Sequence, residues 1–375
     1  MEQVARSERK SASSRRKLPV ALVVSATLVI AALAVFAFAV SGPVSARAPE
    51  GASSARLAAD LVAGSVAAPT AAASSVIAKC HVGDNPVGVA YDPLNHYIYV
   101  ADNGPGDGSG GAITVLKASC HVVATISLTA LSFTPYGVAY DPSTHNVLVS
   151  DDDYGYVFVL SGTSIVNVLT GFCEPQAMTW DAQASAMLVM DYCNQVDAIY
   201  GNTQSGVDTG AISSFCDASS VLDAAGYVWV GDQCAPYTVD LFDPATFALV
   251  GHFTISTAPG ALAWDPVNDT VLVGSEFGNT MHLLDPATVA LHTYVNTTFP
   301  LGQLLATGSI LYSPTTHAMY VSDRAGSDVW KISSSGKVHH DFIASGAGLE
   351  FMTYDAATSY IYVCGYYTNT VYQIQ

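Results

Sequence analysis

The chain is predicted to fold as an all-β protein, a seven-bladed β-propeller closed by an N-terminal strand and preceded by one N-terminal transmembrane or signal helix. Three observations predict this. A repeat of about 44 residues returns seven times, each repeat holds up to four short β-type runs, and an uncharged 23-residue stretch follows a basic N-terminus.

The repeat is anchored on the residue closing its first apolar run: Asp92, Asp141, Asp181, Asp223, Asp265, Ser313 and Asp355. Spacings of 49, 40, 42, 42, 48 and 42 residues match four-stranded propeller blades rather than helical solenoids. Five of the seven first strands end in an aromatic and an Asp, as in Val89-Ala90-Tyr91-Asp92 and Leu262-Ala263-Trp264-Asp265. A tight turn follows, marked by Pro93, Pro142, Pro266 and Pro314, where a fixed φ helps and a missing N–H does no harm. The second strand is β-branched and aromatic, as in Tyr97-Ile98-Tyr99-Val100 and Tyr360-Ile361-Tyr362-Val363. A polar, Gly-containing loop leads to a third strand (113–116, 157–160, 239–242, 281–284) and often a fourth (121–128, 249–255). With no amphipathic helix between units, the sheets are antiparallel.

The last unit stops after three strands, at Gln375. Residues 75–82, SVIAKCHV, resemble the fourth strand ASCHVV at 118–123, with Cys80-His81 matching Cys120-His121. This N-terminal strand is therefore expected to complete the seventh blade and hide two open edges.

Pro86-Val87-Gly88-Val89-Ala90 followed by Tyr99-Val100-Ala101-Asp102, then Tyr320-Val321-Ser322-Asp323 and Tyr362-Val363-Cys364-Gly365, resemble the YVTN-type β-propeller repeat family over about residues 75–375. Asp stands here where that family carries Asn. The resemblance implies an extracytoplasmic binding or cell-surface role and names no ligand.

Residues 1–17 read as a basic cytoplasmic tail, with Arg6, Arg9, Lys10, Arg15, Arg16 and Lys17 against Glu2 and Glu8. Residues 18–40 carry no charge and are long enough to cross a bilayer as a transmembrane or signal-anchor helix, leaving the propeller outside a cell membrane crossed once. Val44-Ser45-Ala46 and Ala46-Arg47-Ala48 are acceptable cleavage sites, which keeps secretion after cleavage as the alternative; Ser14-Arg15-Arg16-Lys17-Leu18 resembles a twin-arginine signal. Residues 41–74, rich in Ala and Ser, are a linker between the span and the propeller at 75–375.

Within 75–375 only Lys79, Lys117, Arg324, Lys331 and Lys337 are basic, against 27 carboxylates, giving −22. Such a surface argues against nucleic acid and anionic lipid as partners and leaves a protein or glycan of the cell surface. It also suits an acidic or salty exterior.

Seven cysteines outside the membrane point to disulfides. Cys173 and Cys216 precede first strands, while Cys193 and Cys234 follow the adjoining second strands. A hairpin register pairing Thr179 with Met187, and Leu222 with Val228, predicts Cys173–Cys193 and Cys216–Cys234 bridges. Cys80, Cys120 and Cys364 are left without an assigned partner, and an odd total requires a free or intermolecular thiol.

Second strands end in Asp102, Asp151, Asp191, Asp232 and Asp323, with Ser275 and Gly365 breaking the set. One reading is that each Asp caps its own loop; the other is a carboxylate ring at the channel mouth holding a cation such as Ca²⁺, as in gluconolactonase-like propellers. The oxygen-rich segments 102–109 and 151–153 favour a cation, although neither has EF-hand spacing. His96, His145 and His317 share a turn position with Asp269 and Ser359, which marks them as turn residues rather than bases. Asn268 and Asn296 begin glycosylation sequons. No GxSxG, HExxH or Walker pattern occurs, and no catalytic residue or cofactor is expected from motifs. The functional expectation is a membrane-tethered binding module. The alternative is a metal-dependent hydrolase or lyase acting at the channel mouth.

Overall fold

The computed structural model describes residues 76–107, 109–129, 132–193, 195–201, 207–212, 218–277, 280–289, 296–300 and 306–375. The tail 1–17, the span 18–40 with its expected helix, and the linker 41–74 lie outside them. The described residues form 28 strands in seven four-stranded antiparallel sheets, a seven-bladed propeller.

The first two strands of each blade place the site. They are β2 (Pro86–Asp92) and β3 (Tyr97–Asp102) in blade 1, β6 (Pro135–Asp141) and β7 (Asn146–Asp151) in blade 2, and β10 (Pro175–Asp181) and β11 (Ala186–Asp191) in blade 3. Blade 4 has β14 (Ala218–Ala224) and β15 (Tyr227–Asp232), blade 5 β18 (Pro259–Asp265) and β19 (Thr270–Ser275), blade 6 β22 (Thr307–Ser313) and β23 (Ala318–Asp323), and blade 7 β26 (Leu349–Asp355) and β27 (Tyr360–Gly365). Contacts of β2 with both β6 and β26, continued through β10, β14, β18 and β22, close an inner ring around the channel.

Second strands such as β11 and β23 are buried along their whole length because both faces meet a neighbouring blade. Trp229, Leu241 and Phe253 of blade 4 pack with Leu262, Val271 and Leu284 of blade 5, and the Trp229 and Phe253 rings stack at 5.7 Å. The core is thus a set of inter-blade layers, each filled by the β-branched and aromatic residues that mark the repeat.

The anchor Asp organises the turn it opens. Asp92 accepts from the Leu94 N–H at 2.8 Å, and Asp141 accepts from the Ser143 N–H at 2.7 Å. The turn ends on a left-handed residue, namely His96 (φ 59°), His145 (60°), Asp269 (51°), His317 (49°) or Ser359 (62°), whose side chain is of interchangeable type. Each of the three imidazoles meets the aromatic of its own first strand, as His96 Nδ1 does with the Tyr91 hydroxyl at 2.6 Å.

Register departs from the sequence expectation by one residue. Thr179 lies opposite Leu188 rather than Met187, and Leu222 opposite Trp229 rather than Val228. A bulge near the start of each first strand absorbs the difference, so that Pro175 still faces Asp191 and Ala218 faces Asp232. The cysteines flank that restored end, and Cys173–Cys193 forms as expected. Cys234 is disulfide-bonded, while Cys216 lies outside the described residues. Of the three unassigned cysteines, Cys80 pairs with Cys120 and Cys364 is a buried free thiol.

Closure follows the expected route. Strand β1 (Val76–His81) pairs antiparallel with β28 (Thr370–Ile374), giving the order β1-β28-β27-β26. Asn369 locks the seam, accepting from the Asn85 N–H at 3.0 Å and donating to Asp84 at 2.6 Å. Cys80–Cys120 then ties the closing strand to blade 1 across 40 residues, a crosslink worth about 4 kcal/mol in the chain-entropy account. Deleting residues 75–82 should cost at least about 4 kcal/mol and turn a cooperative melt into a broad one; an unchanged melting curve would refute the closing role.

Candidate functional site

The five aspartates that end second strands are held within their own blades. Asp102 is buried and accepts from the Thr114 hydroxyl and from the Gly83 backbone N–H just before its blade's first strand. Asp151 accepts from the Thr134 N–H at 2.9 Å, Asp191 from the Cys193 N–H at 2.9 Å and also the Cys173 N–H, Asp232 from the Cys234 N–H at 3.0 Å, and Asp323 from the Ala306 N–H at 3.2 Å. Each therefore ties the approach to its blade's first strand, the loop after its second, or both. Among the described residues, the one trio of His, Cys, Asp or Glu whose ligand atoms lie within 4.8 Å is Cys173, Asp191 and Cys193, and its sulfurs are spent in a disulfide. Of the sequon asparagines, Asn268 donates its amide to Asp265 at 2.8 Å and Asn296 begins strand β21 (Asn296–Pro300).

The residue after each of these positions behaves differently. Asn103, Asp152, Gln233 and Arg324 reach across to the start of the next blade's first strand. Asn103 donates to the Pro135 carbonyl at 3.5 Å, Gln233 to the Pro259 carbonyl at 2.9 Å, Asp152 accepts from Gln176 at 2.7 Å, and Arg324 Nε donates to Glu350 at 3.1 Å. Successive side chains on a strand point to opposite sides, so an Asp tied into its blade leaves its neighbour facing the channel mouth.

First-strand bulges supply the other half of the site. The irregular segments of β6, β10, β22 and β26 contain Tyr136, Gln176, Gly308 and Ser309, and Glu350 and Phe351. An extra residue re-aims the local side chain, here toward the channel. Second-strand hydroxyls hold the bulges in place. Ser150 accepts from the Gly137 N–H at 2.8 Å and donates to the Gln176 carbonyl of the next blade at 2.7 Å; Ser322 accepts from the Ser309 N–H at 2.8 Å and donates to the Glu350 carbonyl at 2.7 Å. Cys364 occupies the same place in blade 7 and points its Sγ at the Gly88 carbonyl, 3.7 Å away. A side chain at Gly137 would put its Cβ 2.1 Å from the Gln176 carbonyl oxygen, which is why this close approach needs glycine.

Together these elements enclose a cavity of about 540 Å³ at the channel mouth. Its rim is polar, with Tyr136, Gln176, Tyr192, Gln233, Glu276 and Arg324. Its wall, formed by the continuing first strands, is mostly apolar and includes Met178, Leu222, Leu262, Ile310 and Met352. A drug-sized pocket of this make-up fits one small ligand.

Arg324 is the charge centre. It bridges blades 5 and 7 from blade 6, with Nη1 to Glu276 at 2.7 Å and Nε to Glu350 at 3.1 Å. Burial alone would lower its pKa, but Glu350, Tyr136 and Glu276 together raise it above the ordinary value and keep the guanidinium charged. Burial pushes the Glu350 carboxyl up, against the pull of Arg324. The Tyr136 phenol is raised chiefly by burial. Arg324 and Tyr136 thus line one cavity, and the buried Glu350 carboxyl, which does not line it, is bonded to the guanidinium.

Sequence reasoning passed over this constellation because it followed what repeats. The closing Asp recurs, whereas the residue after the strand end varies among Asn, Asp, Tyr, Gln, Glu and Arg. One signal was available: Arg324 is the only arginine between residues 75 and 375, and it pairs with two of the three glutamates there, Glu174 being the third.

The buried carboxyls fix a pH dependence. Burial pushes Asp102 up to about 7, outweighing its hydrogen bonds from Thr114 and Gly83, and its Oδ1 has no partner among the described residues. Burial likewise raises Asp151, Asp152, Asp223 and Asp240. Between the unfolded and folded pKa values the folded chain holds protons that the unfolded chain has lost. The resulting stabilisation is complete below about 4 and disappears as the pH rises through about 7. The melting temperature should therefore fall by several degrees over that interval, and less steeply in Asp102→Asn. A flat profile for both proteins would show that these carboxyls titrate normally.

No family model matches the chain, and no curated protein matches it. Among solved structures, its fold is similar to that of virginiamycin B lyase from Staphylococcus aureus at 9% identity and a TM-score of 0.64, over 80% of this chain and 98% of that one. It is similar to a chain of the mitotic checkpoint complex at 15% identity and 0.63, over 83% and 97%. It is also similar to a chain of Kuenenia stuttgartiensis hydrazine synthase at 13% identity and 0.62, over 78% and 95%. Neighbours this diverse share an architecture, and the likeness is one of fold: a seven-bladed β-propeller.

Proposed function

We propose that this protein is an extracytoplasmic β-propeller, tethered to the cell membrane by residues 18–40, that binds a protein or glycan of the cell surface at its channel mouth. One observation carries the reading. The cavity around Arg324 opens on the face where Tyr154, Tyr192, Phe277 and Tyr367 stand 54, 53, 77 and 72% exposed, all in loops that follow second strands. Solvent-facing rings around a polar pocket are the composition of a recognition surface. The basic tail, the uncharged span and the YVTN-type resemblance at Tyr99-Val100-Ala101-Asp102 support the location. Loss of the span by cleavage would leave the same module secreted.

A second reading is enzymatic, a hydrolase or lyase at the same mouth. The raised Glu350 carboxyl beside Arg324 favours it, since a buried acid next to a fixed cation can hand over a proton where charge develops. The five strand-end aspartates are the metal candidates in that reading, with Ca²⁺ as the ion.

A thermal-shift screen of mixed small ligands against the purified full chain tests both readings. At least one ligand should raise the melting temperature of wild type and leave Arg324→Met unmoved. If mass spectrometry shows that ligand consumed, and chelation stops its consumption, the metal-dependent enzymatic reading replaces the binding one. If every hit stabilises both proteins equally, the channel mouth is not the site.

A further inference from the structure

We infer that the ligand of the channel mouth is a neutral saccharide, an inference that rests on the binding reading above. Charge selects first. An anion would meet Glu276 in the cavity, with Asp152 and Glu350 bonded to the lining residues Gln176 and Arg324, against the single cation Arg324, on a region with 27 acidic and five basic residues. A cation would have to compete with the charged Arg324 guanidinium, which already engages Glu276 and Glu350. An uncharged ligand avoids both penalties.

Hydrogen bonding selects next. Arg324 spends Nε–H and one Nη1–H on the glutamates, two of its five donors. The Glu276 and Glu350 oxygens accept, and the Gln176 and Gln233 amides offer both roles. The Ser220 hydroxyl, 7% exposed on the cavity wall, has no hydrogen-bond partner among the described residues. A buried polar group of this kind calls for a partner. Adjacent sugar hydroxyls, each one donor and two acceptors, match a rim that carries both donors and acceptors.

The rings complete the argument. Tyr192 lines the cavity and is half exposed, so one face is open to whatever enters. The C–H face of a sugar is weakly positive and rests on the negative face of an aromatic ring. Tyr154, Phe277 and Tyr367 extend such platforms beyond the cavity; Tyr154 is held edge-on by Phe133 and Tyr367 by Tyr366. A protein partner would need a contiguous apolar centre, whereas these three rings stand on loops of blades 2, 5 and 7 around a polar rim.

The test is saturation-transfer NMR on the full-length protein in a zwitterionic detergent without sugar headgroups. The probes are maltotetraose, cellotetraose and N-acetylated chitotetraose, with oligogalacturonate, spermine and an aromatic-rich peptide as controls. At least one neutral tetrasaccharide should receive saturation on its ring protons, and Tyr192→Ala and Arg324→Gln should each weaken its affinity ~10-fold, with folding checked by near-ultraviolet circular dichroism. Arg324-dependent binding of the anion, the amine or the peptide without any saccharide would overturn the ligand class and leave the channel-mouth reading standing. No Arg324-dependent binding of any probe would overturn both, and saccharide binding indifferent to the two variants would overturn the assignment to this site.

Discussion

Pairing of Val76–His81 with Thr370–Ile374 is the contact on which the rest of the structure depends. A ring of blades buries both faces of every sheet only if no gap is left between last and first, and here the two termini of the propeller supply one sheet jointly. Without that seam, blade 7 loses its fourth strand, β28 presents an unpaired edge, and the layer formed by Cys80, Tyr91, Tyr362 and Val371 loses a wall. Asn369 and the Cys80–Cys120 bridge reinforce the joint from two sides, one by hydrogen bonds to the Asp84–Asn85 segment and one by a covalent tie to blade 1.

A closed ring also brings the first strands close enough for backbone to touch backbone, and this gives the site its precision. The bulge at the start of each first strand exposes a carbonyl toward the previous blade, where Ser150 or Ser322 grips it. The same bulge turns Tyr136, Gln176 or Phe351 toward the channel. Rigidity and function thus share one irregularity: the backbone is pinned by the neighbouring blade while the side chain is released into the cavity. Arg324 adds an electrostatic strut across three blades, and its two carboxylate partners keep it charged in a site that is partly closed to water.

The aspartates show how repetition and function divide the labour. Five strand-end carboxylates recur because these blades must satisfy free N–H groups in the loop before the first strand or after the second, and an acceptor at the strand end does this locally. Their recurrence drew the sequence reading toward a carboxylate ring, yet a group that five blades spend on their own loops says little about a ligand. The next residue along has no such duty and is free to differ from blade to blade as Asn103, Asp152, Tyr192, Gln233, Glu276, Arg324 and Tyr366.

What the sequence determined by itself was whatever depends on local pattern and period: seven blades from the anchor spacing, closure by 75–82 from the missing last strand and the Cys-His match, turn roles for His96, His145 and His317, and the Cys173–Cys193 bridge from its flanking of one hairpin. The one-residue slip between Thr179 and Leu188 was out of reach, because a bulge leaves no mark in hydrophobic alternation. The meeting of Arg324 with Glu276 and Glu350, 48 and 26 residues away, was decided only by tertiary structure. Blades that are successive in the chain become neighbours around a channel, and which side chains face that channel depends on inter-blade packing and bulge geometry rather than on any property of the residues read one at a time.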